Sequence, residues 1–468
     1  KTQTVVIDYS APNVAKEMHV GHLRSTVIGD AIVRMLEFVG HKVIRENHIG
    51  DWGTPFGMLI EHLIDLGETE AANELSVGDL DSFYKQARTK FDANDEFKER
   101  ARARVVLLQG GDVETLRMWK LLVGESTRYF DRVYRSLDVL LTADDIMGES
   151  AYNHLLAQVV ERLDAAKMLE TSDGAEVVFV DGFVNRDNEP LPLIIRKTDG
   201  GYNYATSDLA CVIDRVERLG ATVILYIVGA PQAQHLEMVG VVSRKAGWVP
   251  ETTQMVHVAF GNVLGSDRKI LKSRSGEVVK LDALLTEAVE RAKDAVRAKN
   301  PDWSDAQHNS IAQQVGIGAI KYADLSTDRI KDYVFDWERM LSFDGNTSPY
   351  LQYAHARICS IFRKAGVDRA SVRGVTPLVE HEAERALVLR LLQFDTAVLD
   401  TLDKYSPHRL CTYLYDLASE FSAFYEHCPV MRAENDAQRT SRLALCDFTA
   451  RVMSQGLSLL GIETPEQM

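Results

Sequence analysis

The chain has 468 residues, 46% of them apolar, with a formal net charge of −15. That length supports about two to four domains with separate cores, and the acidic balance argues against a non-specific nucleic-acid binder, which gains its affinity by neutralising phosphates. A nucleic acid held by a local basic cluster remains permitted. Thr4 to Tyr9 (TVVIDY) is continuous and β-branched, as a buried parallel strand should be. A tight loop with His19, Gly21 and His22 follows, and then a helix whose Val27, Ile28, Ile32, Leu36 and Val39 fall on one face before Gly40. Lys42 to Glu46 (KVIRE) reads as a second strand, which completes a βαβ unit.

A loop that hands a strand to a helix aims backbone N–H groups and the helix dipole at whatever lies above it, which suits a polyphosphate and so predicts a nucleotide. Gly21 lets a flat ring such as adenine approach the backbone, and His19 and His22, three apart, can both donate to phosphate oxygens. Donors aimed at the α-phosphate favour the transition state of attack there. HxGH alone is short enough to be a zinc pair or two surface histidines; the strand before it and the helix after it favour nucleotidyl transfer. His48, Asp51, Trp52 and Gly53 follow the second strand, where either a turn held by Asp51 or ligand contacts are expected.

From about 58 to 141 the chain is charged and helical, broken at Gly110-Gly111, and reads as a helical insertion. Val177 to Arg186 and Leu191 to Thr206 look like an antiparallel hairpin with Asp199-Gly200-Gly201 as a turn. Val223 to Val228 looks like a central parallel strand and Met255 to Gly261 gives a further sheet signal, with helices over Ser207 to Leu219 and Gln232 to Ala246. Beyond Gly276 the pattern is helical, with Leu281 to Lys299, then Ser304 to Leu325, with Asp302 and Ser304 as candidate caps. A bundle follows, with an apolar face of Leu410, Tyr413, Leu414, Leu417, Phe421 and Phe424. The expected fold is α/β, a doubly wound Rossmann-like (HUP-type) parallel sheet over 1–275, a helical connecting region over 276–345 and an all-α bundle over 346–468. Cys211, Cys359, Cys411, Cys428 and Cys446 lack CxxC spacing and read as reduced core residues. No apolar stretch spans a membrane and no signal or transit pattern opens the chain, so a cytoplasmic protein without a membrane partner is expected. The start at Lys1, so close to a core strand, suggests a preceding segment.

The run SAPNVAKEMHVGHLRST resembles the signature of class I aminoacyl-tRNA synthetases of the arginyl type, and NHIGDWGTPFG, GES, YATSDLA and NTSPYLQYAHAR resemble the same family in the same order. The resemblance implies ligation of L-arginine to tRNA(Arg) through an arginyl-adenylate, with ATP and Mg²⁺ as substrate and neither a tightly bound cofactor nor a resident metal. A guanidinium is best held by carboxylates in a bidentate fork, which lysine cannot form. The family assigns that task to the positions matching Glu149, Tyr204 and Asp208, and the α-amino and carboxylate ends to those matching Asn13, His19 and Gln232. Alone, Asp208 would be read as a helix N-cap. A wrong side chain would leave the acids unpaired, a penalty on the order of several kcal/mol.

The loop DRKILKSRSGE departs from the family's KMSKS pattern, with Ile270 and Ser273 where its lysines would stand. Lys269, Lys272 and Arg274 are left to meet the phosphates, and the lysine matching Lys16, beside HVGH, supplies the missing charge. The resemblance makes the bundle anticodon-binding, with Tyr350, Arg357 and Met468 as tRNA contacts; without it, an aromatic at helical spacing such as Tyr353 is core. The family's usual amino-terminal domain of roughly a hundred residues is not in this sequence, which leaves full-strength charging open. A monomer is expected. Two rivals stay open: a small-molecule nucleotidylyltransferase, which would need neither the three arginine-reading residues nor the bundle, and a synthetase-like regulatory protein that has lost charging.

Overall fold

The computed structural model describes residues 2–67, 80–185, 187–198, 200–272 and 278–468. They fall into two units: Lys1–Ser25, Gly40–Arg135 and Leu140–Ala259 form the first, and Thr26–Val39, Ser136–Val139 and Phe260–Met468 the second.

The first unit is built on a four-stranded parallel sheet in the order β2 (Lys42–Glu46), β1 (Thr4–Asp8), β6 (Val223–Tyr226), β7 (Gln254–His257). Val5 pairs with Val43 on one side and Val223 on the other, and Val223 with Gln254. The central strands β1 and β6 are almost wholly buried, which is why they read as unbroken apolar runs, while the edge strands are half-buried. Helix α1 (Val20–Phe38) follows β1 and leads to β2. It begins earlier than the apolar stripe suggested, because the His19 carbonyl already accepts the His22 N–H at 2.8 Å.

The carboxyl ends of the strands bring Glu46, Asp8, Tyr226 and His257 into one cross-strand row. Arg215, 1% exposed, donates through Nη2 to Asp8 at 2.7 Å and through Nε to Glu46 at 2.6 Å, over the Tyr226 ring. The two buried carboxylates are tolerable only because this guanidinium compensates them. Arg215→Met is therefore expected to lower the unfolding free energy by about 3–5 kcal/mol in urea titration; a loss under about 1 kcal/mol would contradict the arrangement.

Helices α2 (Thr54–Leu66), α3 (Leu80–Ala93), α4 (Asp95–Gln109) and α5 (Val113–Ser136) follow, with α4 capped by Asn94 and the chain turning at Gly111, where φ is +79. A 3-10 turn (Glu149–Leu155) leads into α6 (Leu156–Ala165) and the antiparallel sheet β3 (Glu170–Ser172), β4 (Ala175–Val184), β5 (Pro190–Arg196). The β4–β5 reversal is made by Asn185, whose Oδ1 accepts from the N–H groups of Asp187 and Glu189 at 2.9 Å each. Gly200 and Gly201 serve the next turn instead, where the Lys197 N–H meets the Gly201 carbonyl at 2.8 Å; Asp199 lies outside the described residues. Helix α7 (Tyr204–Glu217) starts three residues before the expected Ser207, capped by Asn203. Its Leu209, Val212 and Ile213 pack with Val239 and Val242 of α8 (Ala233–Lys245) and with Val178 and Ile195.

The second unit holds the parallel pair β8 (Val263–Leu264) and β9 (Tyr333–Val334) and the helices α9 (Leu281–Lys299) and α10 (Asp305–Leu325). Ser304 and Gln307 form a capping box for α10, so Ser304 and not Asp302 is the cap. At Gly316 a Cβ would stand 2.7 Å from the Ala288 carbonyl oxygen, so only glycine allows α9 and α10 this approach. After α11 (Trp337–Met340) come α12 (Ser348–Ala365), α13 (Glu382–Leu391), α14 (Phe394–Lys404), α15 (His408–His427) and α16 (Asp436–Leu459). Leu410, Leu414, Leu417, Phe421 and Phe424 of α15 are buried as their spacing indicated. All five cysteines are free and buried.

Candidate active site

The β1–α1 loop is held in an unusual shape. Ser10, Ala11 and Ala15 have φ of 72, 46 and 59, positions that cost a non-glycine residue about 1–3 kcal/mol each unless the surroundings impose them. Here they do. The Ala15 N–H donates to Ser126 Oγ at 2.9 Å, the Met18 N–H to Tyr129 Oη at 3.1 Å, and Tyr134 Oη meets Ser10 Oγ at 2.7 Å. All three partners belong to α5, so the helical insertion buttresses this loop. The Ala11 N–H also donates to Asn47 Oδ1 at 3.0 Å.

Within the loop, His19 Nδ1 accepts from the Gly21 N–H at 3.0 Å, and His22 Nδ1 accepts from the His19 N–H at 3.0 Å. Each bond assigns the lone pair to Nδ1 and the proton of the neutral ring to Nε2. Burial lowers the pKa of both, that of His22 to about 3 with His19 and Lys16 adding to the effect, so both rings are neutral at pH 7. Two Nε2–H donors with ring centroids 4.0 Å apart result. A Cβ on Gly21 would lie 2.7 Å from the His19 ring, which is why glycine stands between them. Lys16 is half-buried with Nζ 4.5 Å over the Tyr84 ring. Asn13 is exposed and bridges to Gly50, which has no room for a side chain against it.

A second cluster lies past the carboxyl ends of β2 and β6. The Ser150 N–H and Oγ–H donate to Asp51 at 2.8 and 2.6 Å, one to each carboxylate oxygen, so Asp51 clasps the loop at 148–150. That clasp sets Glu149, whose carboxylate accepts the Trp52 N–H; burial raises its pKa to about 7, His48 opposes the rise, and Asp51 and Asp208 add to it. Asp208 lies in the second turn of α7 and is not its cap; its Oδ2 meets His235 Nε2 at 2.5 Å. Tyr204, 62% exposed, packs its ring 4.9 Å from His235, and Gln232 is exposed at the start of α8. Sequence reasoning passed over His235, although QAQH puts it one helical turn after Gln232. Asp8 was missed too: it carries a buried Oδ1 with no hydrogen-bond partner and acts electrostatically on His48 together with Asp208. Only the fold brings residues so far apart in sequence together.

Lys269 and Lys272 are exposed in the second unit, where bridges Leu264–Ile270 and Lys272–Val278 hold their loop; Arg274 lies outside the described residues. The same unit has a cavity of about 590 Å³ lined by Arg357, Arg363, Lys364, Arg432, Tyr353, Tyr425 and Met468, among others. Arg357 stacks 4.2 Å over the Tyr425 ring. Tyr353, 42% exposed, faces this cavity, whereas Tyr350, three residues earlier on α12, packs 5.7 Å from the Tyr415 ring and does not line it. The basic cluster that the acidic composition hid is here.

Among known proteins, the family model described as tRNA synthetases class I (R), catalytic domain, matches residues 1–337, and the DALR anticodon binding domain model matches residues 351–468. The arginine–tRNA ligase of Thermobifida fusca is 56% identical over 468 residues, covering all of this chain and 81% of that protein. That of Klebsiella pneumoniae strain 342 is 51% identical with the same coverage. The crystal structure of arginyl-tRNA synthetase from Plasmodium falciparum superposes with a TM-score of 0.85 at 32% identity, covering 100% of this chain and 78% of that one. The Thermus thermophilus arginyl-tRNA synthetase gives 0.84 at 26% identity, covering 100% and 83%.

Proposed function

The chain belongs to the arginyl class I aminoacyl-tRNA synthetases, and from that premise we propose how its residues carry out the ligation of L-arginine to tRNA. The observation that carries the reading is the pair of neutral histidines locked as Nε2–H donors at the foot of α1, in the same unit as two carboxylates able to fork a guanidinium.

Glu149 and Asp208 receive the guanidinium, with Tyr204 beside them, and Asn13, Gln232 and His19 hold the α-amino and carboxylate ends. Asp208 exchanges His235 for the substrate cation. The arginine carboxylate then attacks the α-phosphorus of ATP, supplied with Mg²⁺ as substrate, and pyrophosphate leaves. His19 and His22 donate to the oxygens on which charge grows, and Lys16, beside them, bears on the departing pyrophosphate; the family resemblance assigns Lys269, Lys272 and Arg274 to phosphates as well. Catalysis is positioning and charge stabilisation, with no covalent enzyme intermediate. The 3′-terminal ribose hydroxyl of tRNA(Arg) takes the arginyl group and AMP is released.

The cavity with Arg357, Arg432, Tyr353 and Met468 suits unpaired bases, which stack on aromatic rings and on guanidinium planes while phosphates meet the cations. We place Arg357 and Met468 there as tRNA contacts, and Tyr350 on the flank. Tyr353→Ala and Arg357→Ala are each expected to raise the KM for tRNA(Arg) about tenfold, in line with roughly 1–3 kcal/mol per stacked base, with the KM for arginine unchanged; equal losses for both substrates would argue for a folding defect. We also place the enzyme in the cytoplasm as a monomer, which light scattering checks. Charging of tRNA(Arg) with labelled arginine, and none with labelled lysine, tests the proposal; charging with neither would return the regulatory reading.

A further inference from the structure

We propose that His48, Asp208 and Cys211 form a binding site for a thiophilic divalent cation, of which Zn²⁺ is the type, inside the amino-acid pocket. A ring nitrogen, a carboxylate oxygen and the sulphur of these three residues all lie within 4.8 Å of one another. Ligand atoms around a tetrahedral zinc ion stand roughly 3.3–3.8 Å apart, so side-chain movements of about an ångström close the set. Asp208 and Cys211, three apart on α7, project from one face of the helix, and His48 reaches them from the loop after β2, with its Nδ1 3.9 Å from the sulphur.

Asp208 is also oriented from behind, as metal ligands are: His235 Nε2 lies 2.5 Å from its Oδ2. His48 Nδ1 contacts the Met147 carbonyl at 2.9 Å, and a cation on that nitrogen takes the carbonyl's place. A donor set of one sulphur, one nitrogen and one oxygen selects zinc over magnesium or calcium, which take oxygen ligands, so the Mg²⁺ that accompanies ATP does not compete. Three protein ligands leave a fourth position for water. Binding deprotonates Cys211, and the proton goes to solvent.

The functional consequence rests on the reading of Asp208 as an arginine ligand. A divalent ion held by that carboxylate and the guanidinium cannot occupy it together, so the metal excludes arginine and arginine excludes the metal. The enzyme would be inhibited by zinc competitively with its amino acid.

Co²⁺ alone, titrated into the full chain without substrates, provides the test. A thiolate-to-cobalt absorption band in the near ultraviolet is expected, absent in Cys211→Ser and weakened about 100-fold or more in apparent Kd in His48→Gln, with Zn²⁺ abolishing the band in the unmodified chain. Circular dichroism verifies that both variants fold. No band, or the same band in Cys211→Ser, overturns the site. Arginine added to the cobalt form is expected to bleach the band in proportion to its occupancy. If calorimetry shows arginine bound while the band persists, the exclusion is overturned. If arginine does not bind at all, the amino-acid reading of the pocket fails while the band still stands for the metal.

Discussion

Replacing His22 by alanine lowers kcat for arginine activation by about 10²–10³-fold, the loss typical of removing one preorganised donor to a developing oxyanion, while the KM for ATP changes little. The ground-state triphosphate has other partners; the donor matters when charge builds on the α-phosphate oxygens. His22→Gln, whose amide can place an N–H close to the lost Nε2–H, retains more rate than alanine. The bonds that hold Nδ1 of each histidine as acceptor also predict the pH profile. With His22 at about 3 and His19 lowered as well, neither ring titrates at the ordinary imidazole position. The histidines therefore contribute no inflection near pH 6.5, and an acid limb there that disappears in the His22 variant would contradict the neutral-donor role.

Glu149→Gln weakens arginine about 100-fold and narrows the preference for arginine over citrulline, because the loss of one carboxylate leaves the guanidinium fork half-satisfied. Its pH behaviour is the sharper signature. Burial holds the free carboxyl at about 7, and arginine binds the ionised form, so below pH 7 a proton must leave first. The Kd for arginine therefore rises about tenfold per unit as pH falls below 7 and is flat above it; the glutamine variant loses that slope. Stability moves the other way. A raised carboxyl pKa stabilises the fold below the unfolded value, and this contribution is lost as pH rises through the folded value, so at pH 8 the ionised group is a burden to the free enzyme. Glu149→Gln should unfold at a higher temperature than the parent at pH 8, with the difference vanishing near pH 4. Arginine should stabilise the parent far more than the variant. Calorimetry and thermal melts at three pH values check both signs.

The legible parts were those whose cause is local. The runs TVVIDY and VILY announced central strands because both their faces are buried, and the βαβ unit with its HVGH loop followed from that. Helix α7 starts before Ser207 because Asn203 caps it from within a stretch, Leu191 to Thr206, that reads as strand; that same shift removes capping as an explanation for Asp208 and leaves its carboxylate to His235. On α12, two tyrosines three residues apart differ in rotation enough that Tyr353 faces the basic cavity and Tyr350 packs on Tyr415, a distinction that composition does not carry. The pairing of Asp8 and Glu46 with Arg215, and the bracing of the nucleotide loop by α5, join residues about a hundred or more positions apart, beyond the reach of periodicity or motif.

The division of labour between the histidine pair and the two carboxylates is tested most directly by exchange of labelled pyrophosphate into ATP, run with and without tRNA(Arg), with lysine and citrulline as controls. Exchange is expected to depend on arginine, to be absent with lysine and citrulline, and to fall with Glu149→Gln and His22→Ala through KM and kcat respectively. Exchange that proceeds equally with lysine, or that survives both substitutions unchanged, would place the chemistry at other residues than these.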